Sequence, residues 1–342
     1  MRETSTPGRP ATMRALRVQE WGDLSQINLE EAAVPRPEPG EVLVRMKHSG
    51  VNFMDVYTVR GAYRASRTYP LKVPLTIGME GAGHVAALGE GVDTISVGDR
   101  VSFCLQWGAH AEWTAVPAAK LARLPDTIDT ETAAAVTFQG ITAHYLAHDL
   151  AVLRAADWAL VWSGAGGIAQ LLTQMLRRVG IRVVATASSE EKADIARRNG
   201  AEAVLSPDDP DFVERIRDVT GGGAAIVFDS AGRDTIERSI RCLKRRGTLV
   251  LVGTNSGAVP SLDVSALMDA GSISFIRPRL ADFITTPGEF NSRVEAVFAM
   301  IASGKLAAIP AAVFPIAEAH TPLQQLVDRV AIGKSVLDVG TV

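Results

Sequence analysis

From Trp158 onward, short apolar runs alternate with longer stretches whose apolar residues return every three or four positions. WALVW has the make-up of a buried strand. After a cluster of glycines, Ile168, Leu171, Leu172, Met175, Leu176 and Val179 keep helical spacing until Gly180 closes the segment. RVVATA predicts a second strand and SEEKADIARRNG a helix ending on glycine. DFVERIRDVTGG sets Phe212, Val213, Ile216 and Val219 on one helix face. AAIVFDS predicts a strand, DTIERSIRCLKRRG a helix aligning Ile236, Ile240 and Leu243, and TLVLVG another strand. Strands that alternate with helices predict an α/β domain with a parallel, doubly wound sheet.

The chain before this region has another texture. From Met13 to about Ala135, strand-like runs such as EVLVRM, GAGHVAAL and DRVSFCL are separated by RPEPG, GEG and VGD. Such regular turn signals predict a β-rich barrel or sandwich. Short segments return in FPIAEAH and SVLDVG, so the C-terminal stretch is expected to rejoin the first domain. The expected organisation is a leader over 1–12, a β-rich domain over 13–136 and 305–342, and the α/β domain over 137–304. A chain of 342 residues exceeds what one core usually serves.

Composition adds exclusions. Hydrophobic residues are 47% and charged residues 21%, with net charge -3, a globular balance without the basic excess of a nucleic-acid binder. Two cysteines cannot build a disulfide framework, which points to a reducing, cytoplasmic setting. No apolar run reaches membrane-spanning length. The leader MRETSTPGRPAT carries arginines and hydroxyls but also an acid, and lacks the apolar region of a secretory signal.

The glycine cluster carries the chemistry. Gly164, Ala165, Gly166, Gly167, Ile168 and Ala169 satisfy G-x-G-x-x-G/A, directly after a strand and before a helix. A side chain on the early glycines would block a pyrophosphate from the backbone. The helix start offers unpaired N–H groups and a positive dipole end to it. The last small residue lets helix and strand pack closely. An NAD site usually ends its second strand in an acid that grips the ribose 2′-hydroxyl. Here Ala187, Ser188 and Ser189 stand there, with Lys192 a helical turn on, so the pattern favours NADPH. Glu190 and Glu191 lie close and oppose that preference. In the alternative reading the serines merely cap the helix.

The motifs GVNFMDVYTVRGAY, GMEGAGHVAALGEGV, QGITAHYL, GAGGIA, FDSAGRDT and RRGTLVLVGTNSGAV follow one another in an order that resembles the zinc-independent quinone oxidoreductases of the medium-chain dehydrogenase/reductase superfamily. The resemblance runs from Met13 to the C-terminus. It implies a GroES-like β-barrel domain, a Rossmann domain, a cofactor cleft where they meet, and a homodimer paired along an edge strand at GSISFIRP. It further implies that Gly166, Gly167 and Ile168 hold the pyrophosphate, and that Ser188, Ser189, Lys192 and Arg329 surround the 2′-phosphate. Val252, Gly253, Thr254, Asn255, Phe275, Ile276 and Arg277 would reach the nicotinamide half. Asn52, Tyr57 and Thr142 would position the acceptor, with Tyr63 lining its pocket. Several members carry Asn-Tyr where this chain has Ser206-Pro207, which removes one adenosine contact.

Metal is not expected. The resemblance sets Asn52 and Met79 where zinc-dependent members carry a cysteine and a histidine, and places the third ligand near Ala135. His144 and His148 share a helix face but lack a third ligand and the glutamate of H-E-x-x-H. His84 falls outside the ligand register. A zinc-free site suits acceptors that spread charge by conjugation. The leading expectation is therefore an NADPH-dependent quinone reductase, and a reductase of enones, alkenals or enoyl thioesters is the second. Arg64, Arg67 and Lys72 would serve a coenzyme's phosphates in the latter. A cofactor-binding structural protein of crystallin type, or an RNA-associated one, is the third.

Overall fold

The computed structural model describes residues 10–150, 154–308 and 310–340. The expected leader falls mostly outside them, and Thr12 already pairs with Ala33. In chain order, the first elements are β1 (Thr12–Val18), β2 (Ile27–Ala33), β3 (Glu41–Gly50), α1 (Phe53–Val59), β4 (Leu75–Thr76), β5 (Glu80–Leu88), β6 (Arg100–Cys104), β7 (Trp113–Pro117) and β8 (Ala122–Arg123). Helix α2 (Thr130–His148) follows. Then come β9 (Trp158–Val161), α3 (Gly167–Arg178), β10 (Arg182–Thr186), α4 (Glu190–Arg198), β11 (Ala203–Leu205) and α5 (Phe212–Thr220). They continue with β12 (Ala224–Asp229), α6 (Ile236–Arg241), β13 (Leu243–Leu251), α7 (Val264–Asp269) and β14 (Ser274–Ile276). The chain closes with α8 (Pro287–Ala302), β15 (Ala312–Pro315), α9 (His320–Val327) and β16 (Ser335–Asp338).

Two compact units result, one from the residues up to Ile141 and from Ile284 onward, the other from Thr142–Phe283. In the first, a seven-stranded sheet runs β15-β16-β3-β5-β6-β8 with β7 also on β3, beside a three-stranded sheet β2-β1-β4. The C-terminal β16 pairs antiparallel with β3, so both chain ends build this unit. Its core gathers Val42, Val44, Met46, Val85, Val101, Phe103 and Leu337. Helix α8 clusters with this unit, not with the α/β unit to which residues 287–302 were assigned on sequence. Gly140 on α2 permits a close approach there, since a Cβ would lie 2.7 Å from Val297 on α8.

The second unit is a six-stranded sheet in the order β11-β10-β9-β12-β13-β14, with every pairing parallel. The order reverses at β9 and β12, the feature that opens a ligand crevice at the strands' carboxyl ends. All residues of β9 and β12 are buried, as strands covered on both faces require. One expectation needs correction. Leu243, counted as the next apolar turn of a helix, opens β13 and pairs with Ala224, while α6 ends at Arg241. A spacing of three after Ile240 fits a helix, but the chain has already turned into the sheet. Val219 and Val179 keep the helical period yet are exposed, because both sit at helix ends beyond the packed turns.

Candidate functional site

The turn after β9 is held from below. Gly164 N–H donates to Thr186 O at 2.8 Å and Ser163 N–H to Thr186 Oγ1 at 2.9 Å. Its glycines serve different ends. At Gly164 a Cβ would stand 2.7 Å from the Ala185 Cβ and 3.0 Å from the Ala196 Cβ, so this glycine is needed to seat the turn on β10 and α4. At Gly166 the sole neighbour of a Cβ within 4 Å would be Ser163 O at 3.1 Å, so a side chain there would grow away from the protein. Gly166 caps α3 without a side-chain hydrogen bond, and the first helical N–H groups are left for a ligand. A pyrophosphate fits this cradle by both shape and dipole.

At the tip of β10, Ser188 and Ser189 are exposed and Lys192 is half-buried. Ser189 does cap α4, its Oγ accepting from Lys192 N–H at 3.3 Å. That use takes a lone pair and leaves the hydroxyl hydrogen to donate to a phosphate oxygen. Glu190 is turned along the helix to Arg197, 2.5 Å away, and Arg197 also holds Asp194 at 2.7 Å. One acid that would oppose a 2′-phosphate is thus already paired. Pro207 O accepts from Arg238, whose guanidinium lies 5.4 Å from the Trp162 ring centre.

Val252, Gly253, Thr254 and Asn255 follow β13 and are half-buried at its carboxyl end. Arg277 Nη1 donates to Leu251 O and Val252 O, both at 3.0 Å, so its side chain fastens the segment after β14 to the end of β13. Phe275 and Ile276 lie in β14, the sheet's edge strand. Arg329 is exposed with φ of +59°. Thr142 is buried on α2 and its hydroxyl has no hydrogen-bond partner among the described residues. One turn earlier Gln139 Oε1 is equally unpartnered, a residue the sequence reading missed although its spacing from Thr142 is helical.

In the first unit, Tyr57 is half-buried on α1 and stacks on Phe53 at 6.0 Å. Tyr63 meets Tyr69 at 6.1 Å and Trp107 at 5.9 Å, forming an aromatic group of which only Tyr63 was anticipated. Asn52 differs from the role expected of it. It is 4% exposed, and its amide donates to Gly50 O and Glu80 Oε2, both at 3.0 Å, while its oxygen accepts from Lys334 at 2.7 Å. Its polar atoms are engaged inside the unit. Glu80, fully buried, takes Lys334 at 2.6 Å and the Phe138 N–H at 2.6 Å. Asp55 accepts the Asn52 N–H at 2.7 Å, and His110 Nε2 lies 3.4 Å from the same carboxylate oxygen.

The donors of this cluster do not suit zinc. Asn52 Nδ2 already touches Met79 Sδ at 3.4 Å, and an ammonium sits 2.7 Å from the Asn52 oxygen. An amide, a thioether and a cation do not fit a zinc ion, which selects thiolate, imidazole or carboxylate. The His144 and His148 rings lie 4.6 Å apart on α2, their planes tilted by 52°. Among the described residues no group of three His, Cys, Asp or Glu could hold a metal. His84 is a strand residue of β5 paired with Arg45 and Arg100.

The model of the alcohol dehydrogenase GroES-like domain matches residues 38–126, and that of the zinc-binding dehydrogenases matches 167–298. A quinone oxidoreductase of Pseudomonas aeruginosa is 35% identical over 327 residues, covering 94% of this chain and 99% of that protein. The chain belongs to the quinone oxidoreductase family of medium-chain dehydrogenases and reductases. Its two units are the GroES-like and Rossmann-like parts of that fold. Another relative in the superfamily is a 2-haloacrylate reductase of a Burkholderia species, 35% identical over 90% of this chain and 93% of that one. The Escherichia coli quinone oxidoreductase solved with NADPH superposes with a TM-score of 0.90 at 33% identity, covering 95% of this chain and 99% of that one. The zinc named by the second family model has no counterpart in the Asn52, Met79 and Lys334 set. No helix among the described residues is long and apolar enough to cross a membrane.

Proposed function

We propose that the protein reduces quinones with NADPH, without a metal. The observation that carries this is the Gly166 turn, open above and backed by unspent N–H groups of α3, in a chain whose relatives are quinone oxidoreductases. Gly164, Ala165, Gly166, Gly167 and Ile168 hold the pyrophosphate in this proposal. Ser188, Ser189, Lys192 and Arg329 hold the 2′-phosphate, and the paired state of Glu190 supports that assignment. Val252–Asn255 with Phe275, Ile276 and Arg277 orient the nicotinamide half. When bound, NADPH supplies a hydride to the acceptor. Tyr57 and Thr142 offer hydroxyls to the acceptor's oxygen, and the unpartnered state of Thr142 supports its part. Tyr63 lines the acceptor's pocket. Asn52 acts one step back, holding the start of α1 in register with Glu80 and Lys334.

A second reading exchanges the quinone for a conjugated alkene next to a carbonyl. The 2-haloacrylate reductase relative favours it, as do Arg64, Arg67 and Lys72, exposed on the loop after α1. Following cofactor absorbance with a quinone, a simple enone and an enoyl-CoA in parallel separates the two. Faster turnover of the quinone supports the first reading, and turnover confined to the alkenes replaces it with the second.

A homodimer joined along β14 belongs to the same proposal, supported by exposed Phe275 on that edge strand and by Val264 and Met268, 73% and 67% exposed, on α7. A monomeric mass in sedimentation would remove it. A cytoplasmic location is likewise proposed, supported by two free, buried cysteines.

A further inference from the structure

Asp229, the last residue of β12, has no part in either reading above. It is fully buried, and among the described residues no ion pair includes it. Its carboxylate is met by four donors. The N–H groups of Ala231 and Gly232 reach Oδ1 at 2.9 and 3.0 Å. The Thr235 hydroxyl lies 2.8 Å from both oxygens, and the Ser239 hydroxyl 2.7 Å from Oδ2. Ser239 Oγ also accepts the Trp162 indole N–H at 2.9 Å, a use that takes a lone pair and leaves the hydroxyl hydrogen for the carboxylate. An amide at 229 would set its own N–H groups against donors.

The loop gathered by this carboxylate is the template for the next one. The Asp229 carbonyl accepts from Val252 at 2.7 Å and Gly253 at 3.2 Å. Ser230 O accepts from Asn255 at 3.2 Å, and Ala231 O from Ser256 N–H at 2.9 Å and Oγ at 2.8 Å. Gly253 lies so close that a Cβ would stand 2.7 Å from Ser230 O. The placement of 252–256 is therefore a cast of 229–231.

We infer that Asp229 is a positioning residue for the nicotinamide half of the cofactor, acting through Val252–Asn255; this rests on the NADPH reading proposed above. A displaced segment there would misplace the hydride donor, and errors near 1 Å are costly in such sites. Gripping of the adenosine end by Ser188, Ser189 and Lys192 involves other segments.

The test compares two ligands on Asp229→Asn and on Thr235→Val, which keeps the carboxylate and serves if the first variant does not fold. The expected result for Asp229→Asn is about a tenfold rise in the NADPH dissociation constant. That for adenosine 2′,5′-bisphosphate should stay within about twofold. Thr235→Val should show the same selective loss, smaller in size. Hydrogen exchange of 252–256 should quicken in both variants. Parallel weakening of the two ligands, or unchanged NADPH binding, would assign Asp229 a purely structural part and overturn the inference. Wild-type protein that binds the bisphosphate but not NADPH would end the reading beneath it, and the inference with it.

Discussion

Replacing Lys334 by Met tests the polar heart of the first unit. Lys334 is 4% exposed and Glu80 fully buried, with 2.6 Å between the ammonium and the carboxylate. Leucine-like packing of the methionine would fill the space but leave Glu80 without its cation. Breaking one partner of a buried pair costs about 3–5 kcal/mol. Glu80 would keep two donors, Asn52 Nδ2 and the Phe138 N–H, which argues for the lower end. At about 2–4 °C per kcal/mol for a unit of this size, a loss of about 3 kcal/mol lowers the melting point by about 6–12 °C. Thermal melts of Lys334→Met, Glu80→Gln and the double variant measure it. The double variant should lie well above the sum of the singles, because removing both groups leaves no orphaned charge. A shift below about 2 °C for Lys334→Met, or strict additivity, would refute the view that this pair is a mutually dependent unit.

The two glycines of the turn should separate stability from binding. Gly164→Val pushes a side chain onto Ala185 and Ala196 and should cost about 1–3 kcal/mol in a denaturant titration. Gly166→Val should instead weaken NADPH about tenfold or more with little change in unfolding midpoint. Both thiols should resist alkylation in the folded protein, since burial pushes Cys242 up to about 12 and Cys104 well above its ordinary value. Unfolding should expose both, and rapid labelling of the native protein would contradict this. Burial also holds the His48 imidazole below its ordinary range, outweighing the nearby carboxylates of Asp338, Glu131 and Asp129. The unfolded chain then binds this proton first, so stability is full above about pH 6.5 and is lost as pH falls through the folded value. Urea midpoints above and below that value should show the loss, and His48→Gln should reduce it.

The α/β half was legible because its elements obey single periods. The glycine turn, the helix after it and the small residues at the tip of β10 all stand where spacing put them. Boundaries were less legible where a period survives past its element, as at Leu243, which continues the rhythm of α6 while pairing with Ala224. The site in the first unit was legible only in outline. Asn52 was read as a donor to the acceptor, but its partner Lys334 lies 282 positions away and leaves no trace near it. Glu80 in GMEG was not singled out, and only the fold supplies its cation. Asp229 shows the same limit, since four donors converge on it from the loop after β12 and from α6, an arrangement that spacing does not encode.

The central claim is that a reduced nicotinamide coenzyme rests on the Gly166 turn with no metal required. Calorimetric titration of NADPH into protein stripped with a chelator tests it most directly. The account predicts one site per chain, with NADPH bound more tightly than NADH. Absence of binding heat, or binding that appears only when zinc is restored, would contradict it.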